Sequence, residues 1–142
     1  MEILKANPNH VDDVYKLLCE LENEVLDEKK FKKIYQANMK NNDVHYLLAV
    51  DNDCIFGFIS LHIQQLLHHA SAIAEIQELI ITQRYQGAGA GTILFNKVKE
   101  IAIANDCLLL EVACSQFRTD SHKFYRKQGM NESHFKFTYP LE

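Results

Sequence analysis

Residues 86–92 read Gln-Gly-Ala-Gly-Ala-Gly-Thr, and three of the chain's five glycines fall in positions 87–91. The run lies between a β-type apolar stretch, Leu79-Ile80-Ile81, and a stretch of helical periodicity from Ile93 to Ala104. A strand that turns through glycines into a helix aims bare backbone N–H groups outward. Glycine lets a ligand come close, and the helix N-terminus adds a partial positive charge, so the segment suits a diphosphate. A turn that only caps a helix is the plainer reading, but three alternating glycines are costly in conformational entropy for that task.

The surrounding order decides which nucleotide such a loop could serve. Glu2 to Ala6 is expected as a short strand. Pro8-Asn9 opens a helix carrying Val11, Val14, Leu17, Leu18, Leu21 and Val25 at helical spacing. A second helix places Phe31, Ile34, Tyr35 and Met39 inward and breaks at Asn41-Asn42-Asp43. His45 to Val50 and Cys54 to Ile63 form a hairpin about the turn Asp51-Asn52-Asp53. Residues 72–82 make a long strand into the glycine loop, and the next helix buries Leu94, Val98, Ile101 and Ala102. The apolar run Cys107 to Ala113 reads as a central strand covered on both faces. A helix from about Asp120 to Lys127 stops at Gly129, and His134 to Tyr139 alternates as a last strand. The order is β-α-α-β-β-β-α-β-α-β in one domain over residues 1–142, a mixed sheet with helices on it.

A dinucleotide-binding unit fits poorly, because its glycine loop follows the first strand and an acidic residue ends the next. Here the loop follows the fourth strand, and Glu111 lies inside its strand. A kinase-type P-loop is excluded by the lack of Gly-Lys-Ser/Thr. A net charge of −4 with no basic patch argues against nucleic acid. No apolar run reaches the roughly 20 residues of a membrane span, and the Met1-Glu2-Ile3-Leu4-Lys5 start lacks the pattern of a secretion signal. Cys19, Cys54, Cys107 and Cys114 form no CxxC pair or zinc spacing, so they are expected as buried free thiols of a cytoplasmic protein.

Two signatures together carry a resemblance. Gln86-x-x-Gly89-x-Gly91 follows the fourth strand, and Arg84-x-x-Gly87-x-Gly89 fits one step earlier. Phe124-Tyr125-x-x-x-Gly129-Met130 comes later, after one helix and one strand. Over essentially its whole length the chain resembles the GNAT superfamily of acetyl-CoA-dependent N-acetyltransferases. The resemblance implies the GNAT fold, an α/β (α+β) architecture with a mixed, mostly antiparallel sheet of six to seven strands and about four helices. It also implies that backbone amides of Gln86, Gly87, Ala88, Gly89, Ala90, Gly91 and Thr92 hold the CoA pyrophosphate. The edge of Leu79, Ile80 and Ile81 would pair with the pantetheine amides.

Amine attack on a thioester needs a deprotonated amine, a polarised carbonyl and a protonated leaving thiolate. Tyr125 matches the family's tyrosine facing the CoA sulfur, and otherwise packs beside Phe124. Glu78 is the first candidate base and Glu75 the second. They are three apart on one strand, so regular alternation points them to opposite faces, with Glu78 sharing a face with Ile76 and Ile80. A backbone N–H of the same strand would meet the oxyanion. Cys107 and Cys114 make no Cys-His nucleophile, which leaves direct transfer in a ternary complex.

Cys19-Glu20-Leu21, the segments 61–69 and 75–79, His122-x-Phe124-Tyr125 and Ser133-His134-Phe135-x-Phe137-Thr138 are similar to the aminoalkylphosphonate N-acetyltransferase branch. So is Arg118, seven residues before the tyrosine, where generic members often carry Asn. That likeness implies a small primary amine as substrate, with Arg118, His62, His68 and His134 around it. It also opens a place for a divalent metal. No short motif such as HExxH is present, and His68 and His69 on a strand would point apart, so spacing fixes no ligands. A polyamine, an aminoglycoside or a protein N-terminus is an alternative amine, and carboxylates in the pocket would favour the polyamine. A non-catalytic acyl-CoA-binding regulator is an alternative of another class. A homodimer is an expectation by analogy with the fold.

Overall fold

The computed structural model describes residues 1–142. Contacts divide the chain into two compact units, Met1–Glu111 and Val112–Glu142.

The first unit is built on a sheet. β1 (Glu2–Lys5), β2 (Val44–Asp51), β3 (Cys54–Leu66), β4 (Ser71–Ile81) and β5 (Leu109–Val112) lie side by side in chain order. The first three pairings are antiparallel. β5 meets β4 start to start, through Leu108 N–H donating to Ala72 O at 2.9 Å, which makes that pair parallel. Asn52 and Asp53 take left-handed φ values of 47° and 65° in a two-residue loop between Asp51 and Cys54. That is the turn chemistry a twisted hairpin requires.

Three helices complete this unit: α1 (Val11–Glu22), α2 (Glu28–Met39) and α3 (Ala90–Ala104). Asn7 starts the first through a 3-10 turn. Its side chain accepts from Asn9 N–H at 2.8 Å while His10 Nδ1 accepts from Asn7 N–H at 3.0 Å. Asn23, left-handed at φ 52°, ends it, so Val25 falls outside the helix and is exposed. Asp27 caps α2 by accepting from Lys30 N–H at 2.9 Å. One face of the sheet, with Tyr46, Leu48, Phe58 and Ile80, packs on Val14, Leu17 and Leu18 of α1 and Tyr35 of α2. The buried residues of α3, among them Leu94, Phe95 and Val98, form no part of that cluster, and α3 covers the other face against β2, β3 and β4. Fully buried Leu48, Ile59, Leu61 and Ile76 each contribute about 2–3 kcal/mol of burial energy.

In the second unit, α4 (Thr119–Lys127) ends in a Schellman motif. Gly129 has φ 94°, its N–H donates to Arg126 O at 2.9 Å, and Met130 N–H donates to Tyr125 O at 3.1 Å. The signature glycine is therefore a helix stop.

Several expectations are corrected. The sheet has five strands, not six or seven. The alternation of His134 to Tyr139 forms no strand. Phe135, Phe137 and Tyr139 stay 86–91% exposed, because alternation makes a face but a ladder needs a partner edge. The run from Cys107 to Ala113 is an edge strand of four residues with Leu109 43% exposed, since no further strand covers it. Ile34 is 61% exposed rather than buried. Cys54 is exposed and the other three cysteines are half-buried, so none is a core thiol. No helix is long and apolar enough to cross a membrane.

Tyr35 ties α2 to the start of α1, its hydroxyl donating to Asn7 O at 2.7 Å. Burial, with the Tyr46 phenol beside it, pushes its pKa up to about 12. The unfolded phenol ionises near pH 10, so the stability Tyr35 contributes is complete below about pH 10 and is lost from there to about pH 12. Tyr35→Phe is expected to lower stability at pH 7 by about 1 kcal/mol and to flatten the alkaline loss. Urea titrations at pH 7, 10 and 11 read both effects.

Candidate active site

The strand-to-helix turn is held by side chains that the glycine pattern does not reveal. Glu20 on α1 accepts from Thr82 Oγ1 at 2.7 Å and from Gln83 N–H at 3.2 Å. Tyr85 stacks on Phe56 with ring centroids 4.3 Å apart, and the Arg84 guanidinium lies 5.4 Å from the Tyr85 centroid. Gly87 and Gly89 are left-handed, at φ 85° and 88°, and a Cβ on either would meet nothing within 4 Å. Backbone conformation, rather than protein crowding, therefore demands glycine there.

Gly89 is the N-cap of α3 and brings no capping side chain. The first amides of that helix, at Ala90 and Gly91, have no carbonyl one turn behind them and point out of the helix end. Gly91 is helical, so its backbone would accept any residue. Gln86 is different from its neighbours. Its N–H donates to Gln83 O at 3.2 Å and its side chain donates to Ile81 O at 2.9 Å. The amide of Gln86 and the carbonyl of Ile81 are thus engaged within the turn, while Gly87, Ala88, Gly89, Ala90, Gly91 and Thr92 carry the chain on into α3. Leu79, Ile80 and Ile81 pair with Ile59, Phe58 and Gly57 on one side. On the other side β5, four residues long and starting beside Ala72, ends short of them.

The register of β3 against β4 carries the main departure from expectation. Ser60 faces Glu78, yet Leu61 faces Ile76, so Gln77 is an extra residue, a β-bulge. Cross-strand partners share a face. Glu75 pairs with His62 and Glu78 with Ser60, two residues apart on β3, so both carboxylates lie on the same face. The opposite-face expectation fails because the bulge resets the alternation. Ile80 shares that face and Ile76 does not.

This is the face under α1 and α2, and it holds a cavity of about 520 Å³. Val14, Leu18, Phe31, Ile34, Tyr35 and Phe58 give it apolar walls, and Tyr46, Asn38, His62, Gln77 and Glu78 give it polar atoms. Glu22 and Glu24 also line it, with no Lys or Arg. Tyr46, Ser60 and Glu78 stand in a row across three strands. Ser60 Oγ donates to Glu78 Oε1 and accepts from Glu78 N–H at 3.0 Å. Asn38 Nδ2 donates to Tyr46 Oη at 2.7 Å. Burial and the Glu78 charge raise the Tyr46 pKa against the opposing Asn38 bond, so this phenol stays protonated. Glu75 is outside the lining and accepts from Gln77 Nε2 at 2.7 Å.

The histidines of the first unit's site segment do not converge. His62 lines the cavity. His68 and His69 occupy the 3-10 turn at the hairpin tip, roughly 20 Å along the strand from Ser60. Their rings sit 4.2 Å apart instead of diverging, because they are on a turn and not a strand. In the second unit His134 is exposed, with Nδ1 2.6 Å from Ser133 Oγ. No three His, Cys, Asp or Glu side chains gather into a metal-binding group. The donor set therefore does not fit a protein-held metal, and His62 with Glu75 supplies only a cross-strand pair.

Tyr125 lies on α4, half-buried and edge-to-face with Phe124 at 5.2 Å. Burial first, and Cys114 second, raise its pKa far above the usual phenol value, while the Arg118 charge opposes them. Arg118 is the N-cap residue of the same helix, half-buried, within electrostatic reach of that phenol.

The acetyltransferase (GNAT) family matches residues 11–130. The aminoalkylphosphonate N-acetyltransferase of Salmonella typhimurium (strain LT2) is 39% identical over 140 residues, covering 99% of this chain and 91% of that one. A transcriptional regulator from Bacillus halodurans C-125 has the same fold, with a TM-score of 0.90 at 18% identity over 99% of each chain. An aminoglycoside acetyltransferase from an uncultured soil metagenomic sample gives 0.82 at 16% identity, covering 99% of this chain and 96% of that one.

Gly89→Ala forces a Cβ into the left-handed region and is expected to lower stability by about 1 kcal/mol. Gly91→Ala, at a helical position, is expected to leave stability equal or slightly higher. Thermal melts of the two variants separate these outcomes.

Proposed function

The chain belongs to the acetyltransferase (GNAT) family, and from that membership we propose that it moves the acetyl group of acetyl-CoA directly to the primary amine of an aminoalkylphosphonate. The enzyme class rests on the family. The substrate reading draws on the name of the 39% identical relative, whose likeness runs through 99% of this chain. The two compact units act as one domain in this reading, since the family match spans both.

Glu78 is the general base. The observation that carries this assignment is that Glu78 lines the cavity beneath α1 and α2 and Glu75 does not. An alkylammonium has a pKa of about 10, so it must lose a proton before it attacks. Glu78, directly or through one water, takes that proton, and the freed nitrogen lone pair then bonds to the thioester carbon. As the tetrahedral intermediate collapses the C–S bond breaks, the thiolate departs, and the nitrogen gives up its second proton, which balances the one delivered to sulfur. Tyr125, held protonated by burial, donates a hydrogen bond and then a proton to the sulfur. A phenol with a raised pKa is a weak acid and a CoA-type thiol leaves readily, so Tyr125 assists the step rather than enabling it. Gly87, Gly89, Ala90 and Gly91 cradle the pyrophosphate at the start of α3, and the edge of Leu79–Ile81 away from β3 takes the pantetheine.

The cavity's carboxylates, Glu22, Glu24 and Glu78, suit the ammonium end of the substrate. They supply no cation for the phosphonate, and Arg118 is the residue assigned to it, its planar fork matching the oxygens. The same carboxylates favour a second reading, a polycationic amine such as a polyamine, and His68 at the hairpin tip has no part in either.

The test is release of free thiol from acetyl-CoA across aminomethylphosphonate, aminoethylphosphonate, the matching alkylamines and a polyamine. Turnover is expected with the phosphonates at least tenfold above the alkylamines. Turnover of the polyamine alone would replace this reading by the second. With the preferred amine, Glu78→Gln is expected to lower kcat about 100- to 1,000-fold and Glu75→Gln by less than about fivefold. Tyr125→Phe is expected to lower kcat about tenfold, and Gly91→Ala to raise KM for acetyl-CoA in a fully folded protein.

We also propose a homodimer. Phe135, Phe137, Tyr139 and Leu141 recur at every second position and are each more than 85% exposed, an apolar strip that a second copy can cover. Light scattering is expected to give a dimer that dissociates when Phe135 and Phe137 are both changed to Glu. A wild-type monomer contradicts this.

A further inference from the structure

Resting on the assignment of Glu78 as base, we propose that Ser60 is the positioning residue that holds its carboxylate in working orientation. Ser60 is 0% exposed, and a buried hydroxyl without bonds is unfavourable. It spends both of its observed bonds on a single residue. Its O–H is directed at Glu78 Oε1, and its oxygen takes the Glu78 N–H at 3.0 Å. The two bonds close a ring through the Glu78 side chain, which fixes that side chain relative to its own backbone. With Oε1 occupied by a donor, proton uptake falls to Oε2.

The bulge explains why this clasp is needed. One extra residue at Gln77 interrupts the ladder beside Glu78 and loosens the strand where the base is mounted. Ser60, directly opposite, restores a partner for the Glu78 N–H from a side chain instead of a carbonyl. The titratable groups that line the cavity with Glu78 are Tyr46 on β2, His62 on β3, Tyr35 on α2, Glu22 at the end of α1 and Glu24 just beyond it. Ser60 is the one whose hydroxyl binds the carboxylate itself. A general base contributes only when its oxygen lies within hydrogen-bond reach of the proton it removes, so a small rotation of Glu78 is enough to slow the reaction.

Steady-state kinetics of Ser60→Ala, Ser60→Thr, Glu78→Gln and the double variant Ser60→Ala/Glu78→Gln test this. Ser60→Ala is expected to lower kcat about 10- to 100-fold while KM for acetyl-CoA stays within about twofold. Ser60→Thr, which keeps the hydroxyl, is expected to recover most of kcat. In the Glu78→Gln background, Ser60→Ala is expected to change kcat by less than about twofold, because residues that act as a unit are not additive. A folded Ser60→Ala enzyme with kcat within twofold of wild type, or losses that multiply in the double variant, overturns the proposal. If Glu78→Gln keeps full turnover, the base assignment itself falls and takes Ser60 with it. If Glu78→Gln is slow and Ser60→Ala is not, only the role of Ser60 falls. Should circular dichroism show Ser60→Ala unfolded, Ser60→Cys, a weaker donor of similar size, is judged by the same limits.

Discussion

One surplus residue in β4 turns the site. Without the bulge at Gln77, Glu78 would follow strict alternation and its carboxylate would lie on the opposite face from Glu75. With it, both acids lie on the face covered by α1 and α2, and Glu78 reaches the cavity that those helices roof. The cavity depends on the same arrangement. Tyr46 and Phe58 form its floor and belong to the core cluster that seats α1 and α2, so the packing that stabilises the fold also shapes the pocket. The bulge is costly in ladder bonds, and Ser60 offsets part of that cost through the Glu78 N–H.

At the far end of β4 a second constraint operates. The chain must reverse into α3 within a few residues, and it does so with two left-handed glycines. With glycine at its N-cap, the start of α3 carries no side-chain cap. Glu20 reaches across from α1 to hold the turn, and Tyr85 stacks on Phe56 to anchor it. Strand β4 therefore carries both halves of the proposed chemistry, the acyl donor at its end and the base near its middle. The family's reaction requires the two to be held at a fixed separation, and one strand fixed by pairing along its length supplies that.

Much of this was legible in the residues. The glycine run, the strand before it and the helix after it sit where periodicity and turn chemistry put them, as does the helix stop at Gly129. These signals are local, and local signals survive in a sequence. The bulge is not local. It arises from the pairing of residues 60 and 61 with 78 and 76, and nothing in Glu75-Ile76-Gln77-Glu78 announces that the alternation slips. The contacts of Glu20 and Ser60 were hidden for the same reason, since their partners lie 62 and 18 residues away. The apolar run at 107–113 misled in the other direction. Its composition fits a central strand, but centrality depends on a neighbour that the segment from His134 does not provide within the chain. The chemistry of His68 and His69 was likewise obscured by reading as strand what is a turn.

The central claim is that the acceptor amine meets Glu78 beneath α1 and α2. A crystal structure with a non-reactive thioether analogue of acetyl-CoA and an aminoalkylphosphonate bound together tests it most directly. The account predicts the amine nitrogen within about 2.6–3.2 Å of a Glu78 carboxylate oxygen, or one water away from it. An amine seated on the α3 face of the sheet, with the cavity beside Glu78 taken up by solvent alone, would contradict it.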